Sequence, residues 1–253
     1  FPAEFTPKYN KLKERGTKNI DLYLHPLQHN GVEVNEHQYV TDALSREAVS
    51  FIDKASDKTK PFFLYVAYNA PHVPLEALPE DLKLFSHIKD IKRPTYAAMV
   101  WSVDRGIGLI VDKLKEKGEF DNTLIIFLSD NGGKTSLGAN NSPLRKGKGS
   151  AYEGGFRVPM MFHWPNRIKA GSRYGYPVSA LDFYPTFVAL ADKKAESEPQ
   201  LDGLNIIDSI ITNTNARESM PIYALRHRKG FSDAAIHQDQ WKAVNVGKKG
   251  WEL

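Results

Sequence analysis

The sequence predicts an α/β fold: a mostly parallel sheet flanked by helices, with a smaller antiparallel subdomain beginning near the C-terminal end. Three observations carry this. Two uncharged apolar runs, 62–67 and 124–128, each break abruptly into a polar loop, as strands buried on both faces of a parallel sheet do. Between them Tyr96, Met99, Val103, Ile107, Ile110 and Leu114 recur on one helical stripe, which gives the order strand, helix, strand of a β-α-β unit. From Met220 onward the pattern changes to alternation, around 220–225 and 234–246, which suits antiparallel strands. The expected boundaries are a core over 1–219 and the start of the subdomain over 220–253.

Each element has its local reason. Residues 1–36 hold Pro2, Pro7, Gly16, Pro26 and Gly31 with little periodicity, and read as irregular surface chain. Val40, Leu44, Ala48 and Ile52 then recur at helical spacing, with Thr41 or Asp42 as the opening cap, so a helix to about Ala55 is expected. A polar connection over 75–92 precedes the long helix, which starts near Thr95 and stops at Gly118 behind Lys113, Lys115 and Lys117. Asp104 and Arg105 on that helix read as residues of a structural ion pair. A third short strand is expected over 158–163, with His163 as a packed or hydrogen-bonded core histidine. A helix follows over 181–191 with Pro185 in its first turn, then a charged, turn-rich stretch over 192–203 and a small apolar element over 206–211.

Composition narrows the function classes. With 41% hydrophobic residues in 253 the chain can bury a substantial core, and no run of eighteen apolar residues crosses a membrane. A net charge of +4, from 34 basic and 30 acidic residues, favours anionic partners weakly and is too dilute to indicate nucleic acid. Cysteine is absent, which excludes disulfides and thiol chemistry within these residues. Secreted animal enzymes of this size usually carry disulfides, so a bacterial source is favoured. The ends, FPAEF and GWEL, read as cuts within a longer protein.

The candidate site begins where 124–128 ends. Ser129-Asp130-Asn131-Gly132-Gly133 places a carboxylate and an amide oxygen, both hard donors suited to Ca²⁺ or Mg²⁺, at the carboxyl end of a strand, where open α/β sheets bind ligands. The same run also suits a plain turn. Arg145-Lys146-Gly147-Lys148-Gly149 follows, and cations beside an oxygen-lined metal site imply an anionic substrate. This loop is not a Walker A sequence, because Gly138 lies nine residues before Gly147; nor is it G-x-G-x-x-G, because Tyr152 stands at the third glycine. His72 lies between Pro71 and Pro74 in the loop after 62–67, held by two stiff neighbours. His25, His29 and His37 fall in loop sequence and do not read as a zinc site.

SDNGG followed by PLRKGKGSAYEGGFRVPMMFHWP resembles the second half of a type I sulfatase, a formylglycine-dependent sulfate-ester hydrolase of the alkaline-phosphatase superfamily. PFFLYVAYNAPHVP at 61–74 and YAAMVWSVDRGIGLIVDKLKEKGEFDNTLIIFLSDNGG at 96–133 agree with it, so the resemblance is long and ordered. It implies an alkaline-phosphatase-like fold and a Ca²⁺ ion gripped partly by Asp130 and Asn131. It further implies Lys148 as the cation on a sulfate oxygen near the leaving group, and His72 as the sulfate-binding histidine. For Arg145 and Lys146 both solvent-facing charge and contact to a second sulfate stay open.

The implied nucleophile is a formylglycine made from Cys or Ser, and neither a Cys nor a C/S-x-P-S-R segment occurs in these residues. The expectation is therefore that the missing N-terminal part supplies it and that this segment alone is inactive. The implied setting is the bacterial periplasm or exterior, and the implied substrate a sulfated carbohydrate, with aryl sulfate as the simpler alternative. A phosphate mono- or diester hydrolase of the same superfamily and a non-catalytic sulfated-glycan-binding module are the rival readings.

Overall fold

The computed structural model describes residues 6–16, 26–56, 60–192, 201–218, 220–227, 231–247 and 250–253. The chain divides into two compact units, 1–120 and 121–253.

In the first unit, α1 (Thr6–Glu14) and a two-stranded hairpin, β1 (Leu27–His29) with β2 (Val32–Val34), occupy sequence expected to be irregular. The hairpin turns at Asn30-Gly31, both at positive φ, which is the backbone that a tight two-residue loop requires. His25 lies outside the described residues.

The core of this unit is α2 (Val40–Ala55) against α4 (Arg93–Glu116), with the short α3 (Pro79–Leu84) beside α4. Ala43, Ala48 and Ile52 face Ala98, Met99, Val103 and the other buried residues of α4. Tyr39 takes the N-cap position of α2 with no side-chain cap, so neither Thr41 nor Asp42 serves as the opening cap. Both are used in packing instead. Thr41 is buried and its carbonyl receives Ser45 Oγ at 2.8 Å, while Asp42 accepts from Arg105 at 2.8 Å. Arg105 also donates to the buried Asp81 of α3, so the expected structural ion pair is a three-residue bridge. Its two carboxylate partners drive the guanidinium pKa upward against burial.

Segment 62–67 is extended, but it is not the doubly buried inner strand that its composition suggested. It has no ladder assigned, its side chains alternate between half-buried and exposed, and Phe63 and Tyr65 are 68% and 78% exposed. A strand is buried on both faces only when neighbouring layers cover both, and here only Phe62 and its half-buried companions are covered. Phe62 meets Phe51 of α2 edge-on at 5.9 Å.

In the second unit, β3 (Ile125–Leu128) pairs antiparallel with β4 (Met160–His163) from Ile125 opposite His163 to Leu128 opposite Met160. Every strand pair given a register among the described residues is antiparallel. His163 is exposed, so it does not sit in the core as expected. The strand alternates, Phe162 turns inward onto Phe183 at 6.3 Å, and the next side chain must turn out.

A turn at Ala180–Asp182, opened by a capping box between Ser179 and Asp182, leads into α5 (Phe183–Leu190). The small apolar element expected over 206–211 is a helix, α6 (Ile207–Thr212). Part of the charged stretch over 192–203, residues 193–200, lies outside the described residues. The expected C-terminal alternation is a meander of β5 (Ile222–His227), β6 (Phe231–Gln238), β7 (Trp241–Val246) and β8 (Trp251–Glu252). Its inner face, through Ala224, Ala235, Val244 and Val246, packs on Ala151, Tyr152 and Phe156. Burying Val244 alone contributes about 1.5–3 kcal/mol.

Candidate active site

The four residues after β3 form the centre of the second unit's candidate site. The strand delivers Asp130, whose carboxylate accepts from the neighbouring Asn131 carboxamide, while Ser129 Oγ donates to the Asn131 carbonyl at 2.9 Å. Two hard oxygen-bearing side chains thus meet at one exposed point. Among the described residues no group of three or more His, Cys, Asp or Glu side chains is placed to hold a metal ion. The donor types fit a hard divalent ion, but two ligands fall well short of the six to eight that Ca²⁺ takes.

Behind this point the chain locks onto the cationic loop by direct backbone contact. Gly132 N–H donates to Gly155 O at 2.8 Å, Lys148 N–H to Gly133 O at 3.1 Å, and Gly154 N–H to Arg145 O at 2.9 Å. The glycines are there for space. A Cβ on Gly132 would stand 1.8 Å from Gly154 O, and one on Gly155 would stand 1.9 Å from Ser150 O. Only backbone without side chains approaches so closely. The GG pairs of SDNGG and YEGG are therefore the two halves of one contact.

Three cations leave this loop with different fates. The Arg145 guanidinium pairs with Glu252 of β8 at 2.8 Å and lies over the Tyr152 ring at 3.8 Å. Its hydrogen bond to Glu252 raises its pKa, with burial opposing. Among the described residues no carboxylate pairs with Lys146 or Lys148, and both side chains are exposed. Lys146 sits at φ 67°, a left-handed conformation that costs a non-glycine residue roughly 1 kcal/mol. Arg226 of β5 lies beneath Gly149, its Nη2 2.8 Å from where a Cβ there would be, and reaches Asp233 at 3.5 Å.

Two features escaped the sequence reading. Asn141 bonds both loops, accepting from Gly133 N–H at 2.9 Å and donating to Gly133 O at 2.7 Å and Lys146 O at 3.1 Å. Its only sequence signal was a polar pair before Pro143, indistinguishable from turn composition. The Glu252 partner of Arg145 lies 107 positions along the chain, beyond the reach of any local pattern.

His72 belongs to the first unit. Its loop starts at Tyr68, whose hydroxyl is 2.9 Å from Ser45 Oγ on α2, and ends at Glu76, whose carbonyl accepts from Tyr39 at 2.8 Å. Both ends of the loop are thus tied to the N-terminal part of α2. His72 N–H donates to Asn69 O at 2.8 Å, and its ring Nδ1 donates to Val73 O at 2.9 Å. Nδ1 therefore carries the hydrogen and Nε2 is the nitrogen left to act. The ring is exposed and its orientation is fixed by its own loop.

This pattern has counterparts among known proteins. The model of the sulfatase family matches residues 5–193. The chain belongs to the sulfatase family. An uncharacterized sulfatase, YdeN, of Escherichia coli K12 is 36% identical over 171 residues, which cover 67% of this chain and 30% of that protein. Arylsulfatase J of mouse is 40% identical over 154 residues, covering 61% of this chain and 26% of its own length. Among solved structures, the crystal structure of Ps i-CgsB in complex with k-i-k-neocarrahexaose is 59% identical, with a TM-score of 0.92 over 100% of this chain and 56% of that one. The yidJ protein of Bacteroides fragilis, at 22% identity and a TM-score of 0.67, shares the fold. This sulfatase chain thus has the α/β, alkaline-phosphatase-like fold of its family, and it spans about a third of the first curated relative and just over half of the first solved one. Among the described residues no helix is long and apolar enough to cross a membrane.

Proposed function

We propose that the protein containing these residues hydrolyses sulfate esters on a carbohydrate, outside the bacterial cytoplasm, in the periplasm or secreted. One observation carries the reading: the backbone lock that sets Lys148, unpaired by any carboxylate among the described residues, directly beside the strand end bearing Asp130 and Asn131. The 59% identity to a structure solved with k-i-k-neocarrahexaose makes a carbohydrate of that kind the first substrate to test.

In this reading Asp130 and Asn131 contribute two oxygen ligands to a Ca²⁺ ion, with Mg²⁺ as the other hard ion of that type. When bound, the ion offsets negative charge on the sulfate oxygens. Lys148 adds an ammonium to the same task, next to the oxygen that leaves as alkoxide. Such donors accelerate because the charge they face is larger in the transition state than in the ground state. His72, with Nδ1 committed to Val73 O, offers Nε2 to a sulfate oxygen when protonated. Arg145 is the weakest of the assigned substrate contacts, because Glu252 and Tyr152 already occupy its guanidinium. The formylglycine nucleophile and the remaining metal ligands come from residues outside these 253. Residues 1–219 then belong to the catalytic core and 220–253 open the smaller subdomain.

The test is release of inorganic sulfate from neocarrahexaose and from an aryl sulfate by the full-length protein, with Lys148→Ala in parallel. Wild-type release that falls on the order of a hundredfold in the variant supports the reading. Release of phosphate from an aryl phosphate in place of sulfate would transfer it to the phosphate-ester class. Binding of the glycan with no turnover, weakened by salt and indifferent to metal, would make it a binding module.

A further inference from the structure

We propose that Asn141 is a positioning residue that holds Lys148 in register with the Asp130-Asn131 loop. The inference rests on the sulfatase reading above and names a residue that acts through others.

The argument is a count of hydrogen-bonding capacity. A carboxamide has one oxygen acceptor and two N–H donors. Asn141 Oδ1 takes the Gly133 N–H at 2.9 Å, one Nδ2 hydrogen goes to Gly133 O at 2.7 Å, and the other goes to Lys146 O at 3.1 Å. One side chain thus grips the N–H and the C=O of the same residue, as a neighbouring strand would. Gly133 stands two residues after Asn131, and its carbonyl also receives the Lys148 N–H at 3.1 Å. The third bond fixes the carbonyl of Lys146 in its left-handed conformation, two residues before Lys148. The proposed metal loop and the proposed sulfate-binding lysine are therefore fastened to one amide.

No other residue type reproduces this. Aspartate keeps the acceptor but points carboxylate oxygens at two carbonyls, and alanine leaves three backbone groups without their partner. Nor is there slack in the surroundings, because a Cβ on Gly147 would stand 2.4 Å from both Asn141 Nδ2 and Gly133 O. Misplacing a catalytic group by about 1 Å costs on the order of a hundredfold in rate, so a loosened clamp acts on turnover before it acts on anything else.

The experiment compares Asn141→Ala and the near-isosteric Asn141→Asp with wild type in the full-length protein. Asn140→Ala, which removes only an acceptor for Ser142 N–H, is the control. Three results are expected. Sulfate release falls on the order of a hundredfold in kcat, with KM moved less. In a Lys148→Ala background Asn141→Ala adds little further loss, because both act through the same ammonium. Amide exchange speeds up together at Gly133 and Lys148, while Asn140→Ala leaves activity and both amides as they were. Full turnover in an active wild-type background with either Asn141 variant overturns the proposal, as does strict additivity with Lys148→Ala. If the wild-type protein releases no sulfate, the functional reading falls. The exchange measurement then still decides the clamp: faster exchange confined to 140–142, with Gly133 and Lys148 unchanged, sinks it.

Discussion

Arg145 and Glu252 meet at 2.8 Å, with the Tyr152 hydroxyl donating to the other carboxylate oxygen at 3.0 Å. Of the cations in the RKGKG loop, Arg145 is thereby tied to the last strand of the C-terminal sheet and Lys148 is not.

The two residues should therefore separate in kinetics. Lys148→Ala is expected to lower kcat on the order of a hundredfold or more. Arg145→Ala should leave kcat within a few-fold of wild type, and Glu252→Gln should copy Arg145→Ala, because both act on the same tether. Steady-state assays of the full-length protein check this. A larger loss in Arg145→Ala than in Lys148→Ala would move the substrate contact to the arginine.

Residues with local signals were legible in the sequence and residues with distant partners were not. The 125–128 strand follows from a short apolar run, and the long α4 and the C-terminal meander follow from hydrophobic period, signals that need only a few neighbouring positions. The Asp130-Asn131 and His72 positions follow from where those apolar runs stop. Segment 62–67 was misjudged because composition reports apolarity and cannot say whether a covering layer is present. The site's lock was invisible for a different reason. It is made of backbone groups 9 to 23 positions apart, from Arg145 with Gly154 to Gly132 with Gly155, and backbone groups leave no residue-specific signature.

The long helix α4 offers a paired test of packing, because it holds two glycines two positions apart in opposite environments. A Cβ on Gly108 meets nothing within 4 Å, so Gly108→Ala should stabilise by about 0.5–1 kcal/mol through the unfolded chain's lost freedom. A Cβ on Gly106 would stand 2.1 Å from Ser45 Oγ and 2.9 Å from Tyr68 OH. Ser45 cannot turn away freely, since it bonds both Thr41 O and Tyr68. Gly106→Ala should cost about 1–3 kcal/mol. Denaturant midpoints moving the same way for both variants would contradict this packing.

Asp182 is fully buried, and Arg217, 5% exposed, donates to it. The carboxylate also accepts Ser179 N–H at 2.8 Å and Leu204 N–H at 2.9 Å, so it joins three separate stretches of chain. Asp182→Ala removes all of these at once and leaves a buried guanidinium without its counter-charge. The expected cost is about 3–5 kcal/mol, read from urea unfolding. A loss under about 1 kcal/mol, the range of exposed pairs, would mean that water reaches Arg217.

Glu153 gives the pH prediction. Burial pushes its carboxyl pKa up, but the hydrogen bond from Lys242 at 2.6 Å and the charges of Lys242 and Arg157 outweigh this and hold it below the ordinary value of 4.5. A depressed carboxyl pKa contributes stability that is complete above the unfolded-state value and is lost as pH falls through the folded one. The same pair acts at the other end of the scale. Burial lowers the Lys242 pKa, and Glu153 only partly restores it. Below the unfolded lysine value the charged form therefore weakens the fold, and that cost lifts as pH rises past the folded value. Glu153→Gln should thus flatten the acid limb of the stability profile below about pH 4.5. It should also make Lys242 lose its proton at lower pH than in wild type, since only burial and the like charge of Arg157 then act on it. Denaturation midpoints measured from pH 3 to 10 decide this. An acid limb of unchanged steepness in the variant would show that Glu153 is not among the carboxylates whose protonation unfolds the second unit.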